Sequence, residues 1–205
     1  ANFNSQNVTL DVKNGEDVEN EILNYAKNSQ ALLLVLGVKG MSPIKELFLG
    51  STTKMLISKS KIPVIAVPEG SKLEEFESLV YATTLADEDI IAIKKICHLF
   101  DSIITKIEVL HVSEKEDNSS VSKIEAFRKN LKAQFSSSNI ELKIIYNNDV
   151  FGTLKNYLKD QEVDILGMLE REKRVVWKNL FHRDLVTRLE TSTNIPLISI
   201  RQESV

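Results

Sequence analysis

Residues 45–67, KELFLGSTTKMLISKSKIPVIAV, align without a gap on residues 178–200, KNLFHRDLVTRLETSTNIPLISI, at an offset of 133. A lysine, a leucine, a phenylalanine and the Ile-Pro step coincide. Upstream, NYAK at 24–27 meets NYLK at 156–159 after a one-residue shift. An internal repeat constrains the architecture more than any other feature. Both copies must form the same supersecondary unit and bury the same apolar faces.

The period inside each copy identifies that unit. Short runs rich in Val, Ile and Leu alternate with amphipathic stretches. NVTLDV (7–12), ALLLVL (31–36), PVIAV (63–67), SLVYATTL (78–85), KIEVLHV (106–112), IELKIIY (140–146), DILGML (164–169) and IPLISI (195–200) read as strands. In DEDIIAIKKICHLF (87–100), Ile90, Ile93, Ile96, Cys97 and Phe100 share a helical face; in VSKIEAFRKNLKAQF (121–135), Ile124, Phe127, Leu131 and Phe135 do. Strands alternating with helices predict an α/β fold with a parallel sheet and crossover helices. We expect doubly wound, five-stranded units in tandem.

The second copy, 78–205, is a complete five-stranded plan. The first, 1–69, holds only the last three strands and two helices of that plan. Residues 70–77 form a charged linker introduced by Pro68 and Gly70. The repeat arithmetic places the missing beginning of the first copy roughly 55–60 residues before position 1. An apolar strand without its neighbour has unpaired backbone groups, so the edge of the first copy is expected to be covered by the remainder of the polypeptide or by another chain.

Composition narrows the function. A net charge of −3 argues against nucleic acid as a partner. The longest apolar run, ALLLVLGV, is far shorter than the roughly twenty residues a bilayer requires. The single cysteine, Cys97, excludes an internal disulfide framework and fits a reducing, cytoplasmic compartment. It reads as a core residue. His98, His111 and His182 have no partner at metal-ligand or catalytic spacing. Tyr25 and Tyr157, paired by the repeat, read as packing residues.

Glycine is scarce in this chain, with seven in all, yet Gly37, Gly40 and Gly50 crowd into LGVKGMSPIKELFLGSTT. That segment joins a buried strand to the next helix, at the end of a parallel sheet where open α/β folds bind ligands. Glycines there allow close approach of an anion to backbone N–H groups. Ser51, Thr52 and Thr53 offer hydroxyls at a helix start, whose dipole favours phosphate. Ser42 and Pro43 suggest a short intervening helix. The spacing G-x2-G-x9-G-S is neither the Walker loop nor the dinucleotide fingerprint.

This spacing, with the apolar strand before it and IPVIAV after it, resembles the universal stress protein family, whose fold is adenine nucleotide alpha hydrolase-like. VYATTLADED and EVLHV in the second copy resemble that family's first two strands. The resemblance implies ATP as ligand, held by Gly37, Gly40, Gly50, Ser51 and Thr52, and leaves a role for magnesium undefined. It also implies an acid ending the first strand, where the second copy has Thr84. Family members dimerise through their last strand. The repeat makes an intramolecular pseudo-dimer natural, with Ile65, Val67, Ile198 and Ile200 near the joint; a homo-oligomer is the other arrangement.

In the aligned second copy, Glu170, Lys173, Arg183 and Asp184 stand for Gly37, Gly40, Gly50 and Ser51. Val175, Val176 and Trp177 could fill the cleft. That copy is expected to have lost nucleotide binding. The opposing reading is an anion site made by Arg171, Lys173, Arg174 and Arg183, although a charge run is usually a solvated face. The leading functional expectation is a stress-response regulatory protein that binds ATP through the first copy. An interaction scaffold without ligand is the alternative. A weak nucleotide hydrolase is a third, for which the loop offers no general base; no catalytic residue is nominated.

Overall fold

The computed structural model describes residues 8–38, 51–71, 76–101, 103–114, 118–135, 140–171 and 195–202. Its elements run α1 (Val18–Asn28), β1 (Leu34–Val38), α2 (Ser51–Lys59), β2 (Val64–Pro68), β3 (Ser78–Ala82), α3 (Asp87–Leu99), β4 (Lys106–Ser113), α4 (Asn118–Gln134), β5 (Ile140–Tyr146), α5 (Val150–Asp160), β6 (Ile165–Glu170) and β7 (Leu197–Arg201). One mixed sheet holds the strands in the order β1-β2-β7-β6-β3-β4-β5.

Every neighbouring pair is parallel except β2 and β7, which meet antiparallel. The trailing five strands place β3 in the middle and wind outward in both directions, as the alternating pattern predicts. The buried runs of β3, β4, β6 and β7 are nearly continuous because helices cover both faces, whereas the edge strand β5 has none. On one face Ile93 and Ile96 of α3 and Phe127 and Leu131 of α4 pack over Leu79, Tyr81 and Ile165. On the other, Leu154 and Leu158 of α5 pack over Val80, Leu110 and Leu166. A smaller cluster, Val38, Ile57, Val64 and Ala66, joins α2 to β1 and β2. Cys97 packs against the first of these cores, as its helical spacing predicts.

The repeat recurs as local structure. Asp17 caps α1 by accepting from Asn20 N at 3.0 Å, and Asp149 caps α5 by accepting from Gly152 N at 2.9 Å. Both helices end alike: Gln30 and Glu162 adopt positive φ of 53° and 49°. Ala31 N donates to Ala26 O at 2.9 Å, and Val163 N to Leu158 O at 3.1 Å, the long bond of a Schellman ending. Leu34 N donates to Pro63 O, and Leu166 N to Pro196 O, each at 2.9 Å.

The last correspondence corrects the register read from sequence. β1 pairs Gly37 with Val67, and β6 pairs Leu169 with Ile200. Val67 and Ile200 are repeat counterparts, so the counterpart of Gly37 is Leu169, not Glu170. The offset between the copies changes from 132 at β1 to 133 at β2, so the value that holds at 45–67 does not hold at Gly37.

Two further expectations are corrected. Residues 8–12 form no strand, and Val8, Leu10 and Val12 are exposed. Their alternation is that of a strand, but no described strand lies beside them, and an unpaired strand gains no ladder hydrogen bonds. Tyr25 is not packed at a helix–sheet boundary: it is exposed, its hydroxyl donates to Asp11, and Lys13 lies over its ring. Tyr157 is buried, yet its role is also polar: its hydroxyl donates to Glu108 Oε1 and accepts from Lys143 Nζ at 2.9 Å.

Candidate functional site

The C-terminal ends of β3 and β6 flank the point where the trailing sheet changes winding direction, the usual ligand crevice of an open α/β sheet. An internal charge cluster fills it. Asp89, at the third position of α3, is 1% exposed. Its Oδ1 accepts from Tyr81 Oη at 2.9 Å and Arg171 Nη2 at 3.0 Å. Its Oδ2 accepts from Thr83 Oγ1 at 2.9 Å, Thr84 N and Oγ1 at 3.0 Å, and Ala86 N at 3.2 Å.

These bonds follow from local sequence. Thr83 and Thr84 leave β3 as a turn that carries Leu85 at φ 66°. Asp89 reaches back to the N–H of Ala86 while Asp89 N donates to Ala86 O at 3.0 Å. A carboxylate in the first helical turn also suits the positive end of the helix dipole. Arg171, just past β6, completes the neutralisation: Nη2 bonds Asp89 and Thr84, Nη1 lies 3.8 Å from Glu88, and its side chain is 15% exposed. Gln202 Nε2 donates to Glu88 Oε1 at 2.9 Å, tying the end of β7 to the same helix start.

Arg171 is therefore neither a solvated charge nor a free anion receptor. Lys173, Arg174, Arg183, Asp184, Val175, Val176 and Trp177 lie outside the described residues. The acid sought at Thr84 arises five residues later, at Asp89, and serves the protein's own threonines, tyrosine and arginine. The sequence signal is TTLADED (83–89), a strand end followed by a helix start whose third residue, Asp89, is acidic. His111, on β4, adjoins this cluster. Its Nδ1 donates to Thr83 O at 2.9 Å, and burial pushes its imidazole below the ordinary range.

The other candidate site lies across the sheet. Because β2 and β7 are antiparallel, the C-terminal end of β1 points opposite to those of β3 and β6. Gly37 sits within β1 and is exposed. Its φ is not positive, and a Cβ built on it would meet nothing within 4 Å. Among the described residues, neither backbone nor packing calls for glycine there. Gly40 and Gly50, with Ser42 and Pro43, lie outside the described residues. Ser51 opens α2 and is exposed; Thr53 is buried. The hydroxyl of Thr52 donates to Glu19 Oε1 of α1 at 2.9 Å. The structure thus places Gly37 at a strand end and Ser51 and Thr52 at a helix start. Glu19 already sits where the helix dipole favours an anion.

Residues 2–68 match the model of the Universal stress protein family. Over those residues the chain is similar to that family. The wider α/β fold is shared with solved structures. A universal stress protein from Archaeoglobus fulgidus DSM 4304 superposes with a TM-score of 0.67 at 15% identity, over 90% of this chain and 66% of that one. A putative universal stress protein from Pseudomonas aeruginosa UCBPP-PA14 gives 0.67 at 9% identity, over 93% and 70%. A functionally unknown protein from Pseudomonas aeruginosa PAO1 gives 0.64 at 12%, over 93% and 70%. This chain thus spans about two thirds of the length of each. No curated protein matches it. Among the described residues, no helix is long and apolar enough to cross a membrane, and no group of three or more His, Cys, Asp or Glu could hold a metal.

Proposed function

We propose that the chain is a cytoplasmic stress-response regulatory protein of two tandem units, which binds ATP or a related adenine nucleotide through the glycine loop of the first. The observation that carries this reading is Gly37: a glycine at a strand end that neither its dihedrals nor its neighbours among the described residues require, within the segment that matches the family. Such a glycine leaves room for close approach of a ligand. Ser51 then presents a hydroxyl at the start of α2, with Gly40, Gly50 and Thr52 completing the cradle. The second unit binds no nucleotide. Arg171 and Asp89 occupy its crevice, and Leu169 replaces the glycine. The two units form an internal pseudo-dimer through β2 and β7.

Calorimetric titration of the 205-residue chain with ATP tests the reading. We expect one saturable site per chain, abolished by Gly50→Val combined with Ser51→Ala and unaffected in number by Arg171→Ala. Absence of saturation at millimolar ATP overturns it. The hydrogen bond between Thr52 and Glu19 favours a second reading, a scaffold without ligand, because a carboxylate already answers the helix terminus. Glu19→Gln separates the two. Removing that charge strengthens ATP binding several-fold, on the order of 1 kcal/mol for an ion at a helix end, if nucleotide competes there. It changes nothing if no nucleotide binds.

A further inference from the structure

The helix that carries Ser51 and Thr52 does not rest on its own copy alone. α2 packs against α1 and β2 and, across the joint, against β7 of the second copy. Thr53, Leu56 and Ile57 form its buried face. Nine residues are too few for a helix to be stable by itself, so its placement depends on what holds it.

Each end is held by a side chain whose charge suits the helix dipole. At the start, the hydroxyl of Thr52 donates to Glu19 Oε1 of α1 at 2.9 Å. At the end, Arg201 Nη1 of β7 donates to Lys59 O at 3.4 Å. Lys59 closes α2, so its carbonyl is one of the four that a helix leaves without an intrahelical partner. The groups beside it are committed elsewhere: Ser60 N donates to Leu56 O at 2.8 Å, and Ser60 Oγ donates to Ile62 O at 2.7 Å.

The second copy places Arg201 for this contact. The side chain is half-buried, and its Nε is out of reach of solvent. The next residue, Gln202, donates to Glu88 Oε1 at 2.9 Å. The end of β7 is thus tied to α3 of its own copy while Arg201 reaches into the other. The repeat makes the contact one-sided. The counterpart of Arg201 is Pro68, at the end of β2. Proline has no side-chain donor, so the first copy cannot return the contact at this position.

We propose that Arg201 is a positioning residue for the ligand site of the first copy. It fixes the C-terminal end of α2 and, through a helix roughly 13 Å long, the place of Ser51 and Thr52 at the other end. The proposal rests on the nucleotide reading of that site. A phosphate that takes the place of Glu19 releases the first turn from α1, and the restraint at Arg201 then carries more of the helix. The second copy, which binds no nucleotide itself, serves the site of the first.

The test compares the 205-residue chain with Arg201→Met, which keeps an unbranched side chain without the charge, and with Arg201→Lys, which keeps the charge. Amide hydrogen exchange is followed without ligand, and ATP affinity is measured by calorimetric titration. We expect Arg201→Met to quicken exchange in α2 about fivefold and to leave β4 and α5 unchanged. It should also weaken ATP binding about fivefold. Arg201→Lys should recover most of both. Three results overturn the proposal and leave the nucleotide reading standing. One is unchanged exchange in α2 of Arg201→Met. Another is quickened exchange there with unchanged ATP affinity, which makes Arg201 an anchor for the helix and nothing more. The third is equal quickening in α2, β4 and α5, which is a loss of global stability. Absence of ATP binding by the unaltered chain overturns both readings together, whatever the exchange shows.

Discussion

Ile65 of β2 stands directly opposite Ile198 of β7 in the antiparallel register, and the two are the same position of the repeat. A local twofold axis therefore passes beside this pair. The contact joins the strands of the two copies into one sheet, and both side chains enter the same core. Ile198 is fully buried and Ile65 nearly so. We expect Ile198→Ala to cost about 2–5 kcal/mol, the range for truncating a buried aliphatic chain, and Ile65→Ala to cost less. As cross-strand neighbours the two should couple, by about 0.5–3 kcal/mol in a double-mutant cycle. Urea denaturation of the four proteins measures this. Strict additivity would mean that the two side chains contribute no interaction energy across the joint.

Arg171 is the cation that answers the buried Asp89 carboxylate. Removing one partner of a buried pair leaves the other uncompensated. We expect Arg171→Ala to destabilise the protein by about 3–5 kcal/mol. Adding Asp89→Asn should recover part of the loss, because the amide carries no charge while its oxygen still accepts from Tyr81 or the threonines. Thermal unfolding of the single and double variants decides. Equal destabilisation in both would show that the guanidinium acts by packing alone.

These two relationships also mark what the sequence reveals. Ile65 and Ile198 were legible because the repeat aligns IPVIAV with IPLISI, and a shared strand makes a twofold pairing natural. The strand order of the second copy followed from the alternating period for a similar reason. Asp89 and Arg171 are separated by most of the second copy, and no local pattern links them. Each taken alone reads as surface charge, and only the fold brings them to one crevice. Residues 8–12 fail in the opposite sense. Their alternation is strand-like, but strand formation depends on a neighbour, which a local pattern cannot supply. Gly37 was legible as a candidate by its place after an apolar run. Its true counterpart, Leu169, needed the pairing register.

His111 supplies a pH test. Burial holds its imidazole below the ordinary value of 6.5, against the opposing pull of the Thr83 carbonyl and the Asp89 charge. The unfolded chain therefore takes up a proton first as pH falls. The contribution to stability is complete above pH 6.5 and is lost as pH falls from there through the lower folded-state value. We expect His111→Asn, which keeps a donor for Thr83 O, to flatten this part of the stability profile. Urea midpoints between pH 7.5 and 5 provide the comparison. An unchanged slope would assign the acid sensitivity to carboxylates instead.

The helix endings offer a stabilising substitution. Gln30 and Glu162 hold positive φ at the position after a helix where glycine is favoured. A residue with a Cβ is strained in that conformation by about 1 kcal/mol or more. Gln30→Gly and Glu162→Gly should each raise stability by up to about 1 kcal/mol, less the extra entropy glycine gives the unfolded chain. Because α1 and α5 are repeat counterparts, the gains should be similar and additive. Differential scanning calorimetry checks both, and a loss at either position would show that the side chain makes a contact that outweighs the strain.

Gly37→Leu gives the sharpest test of the ligand reading, because it installs the residue that the other copy carries at this register. Among the described residues nothing within 4 Å opposes a Cβ at Gly37, and its φ lies outside the left-handed region. The substitution should therefore leave folding stability within about 0.5 kcal/mol, as surface changes away from special features do. If a nucleotide approaches the end of β1 closely, the leucine takes its space, and ATP affinity should fall tenfold or more, which is about 1.4 kcal/mol. Calorimetric titration and a urea curve on the same preparation give both readouts. Weakened binding with unchanged stability assigns Gly37 to the ligand. Lost stability with unchanged binding assigns it instead to packing against the chain's own neighbours, and the nucleotide must then be held elsewhere.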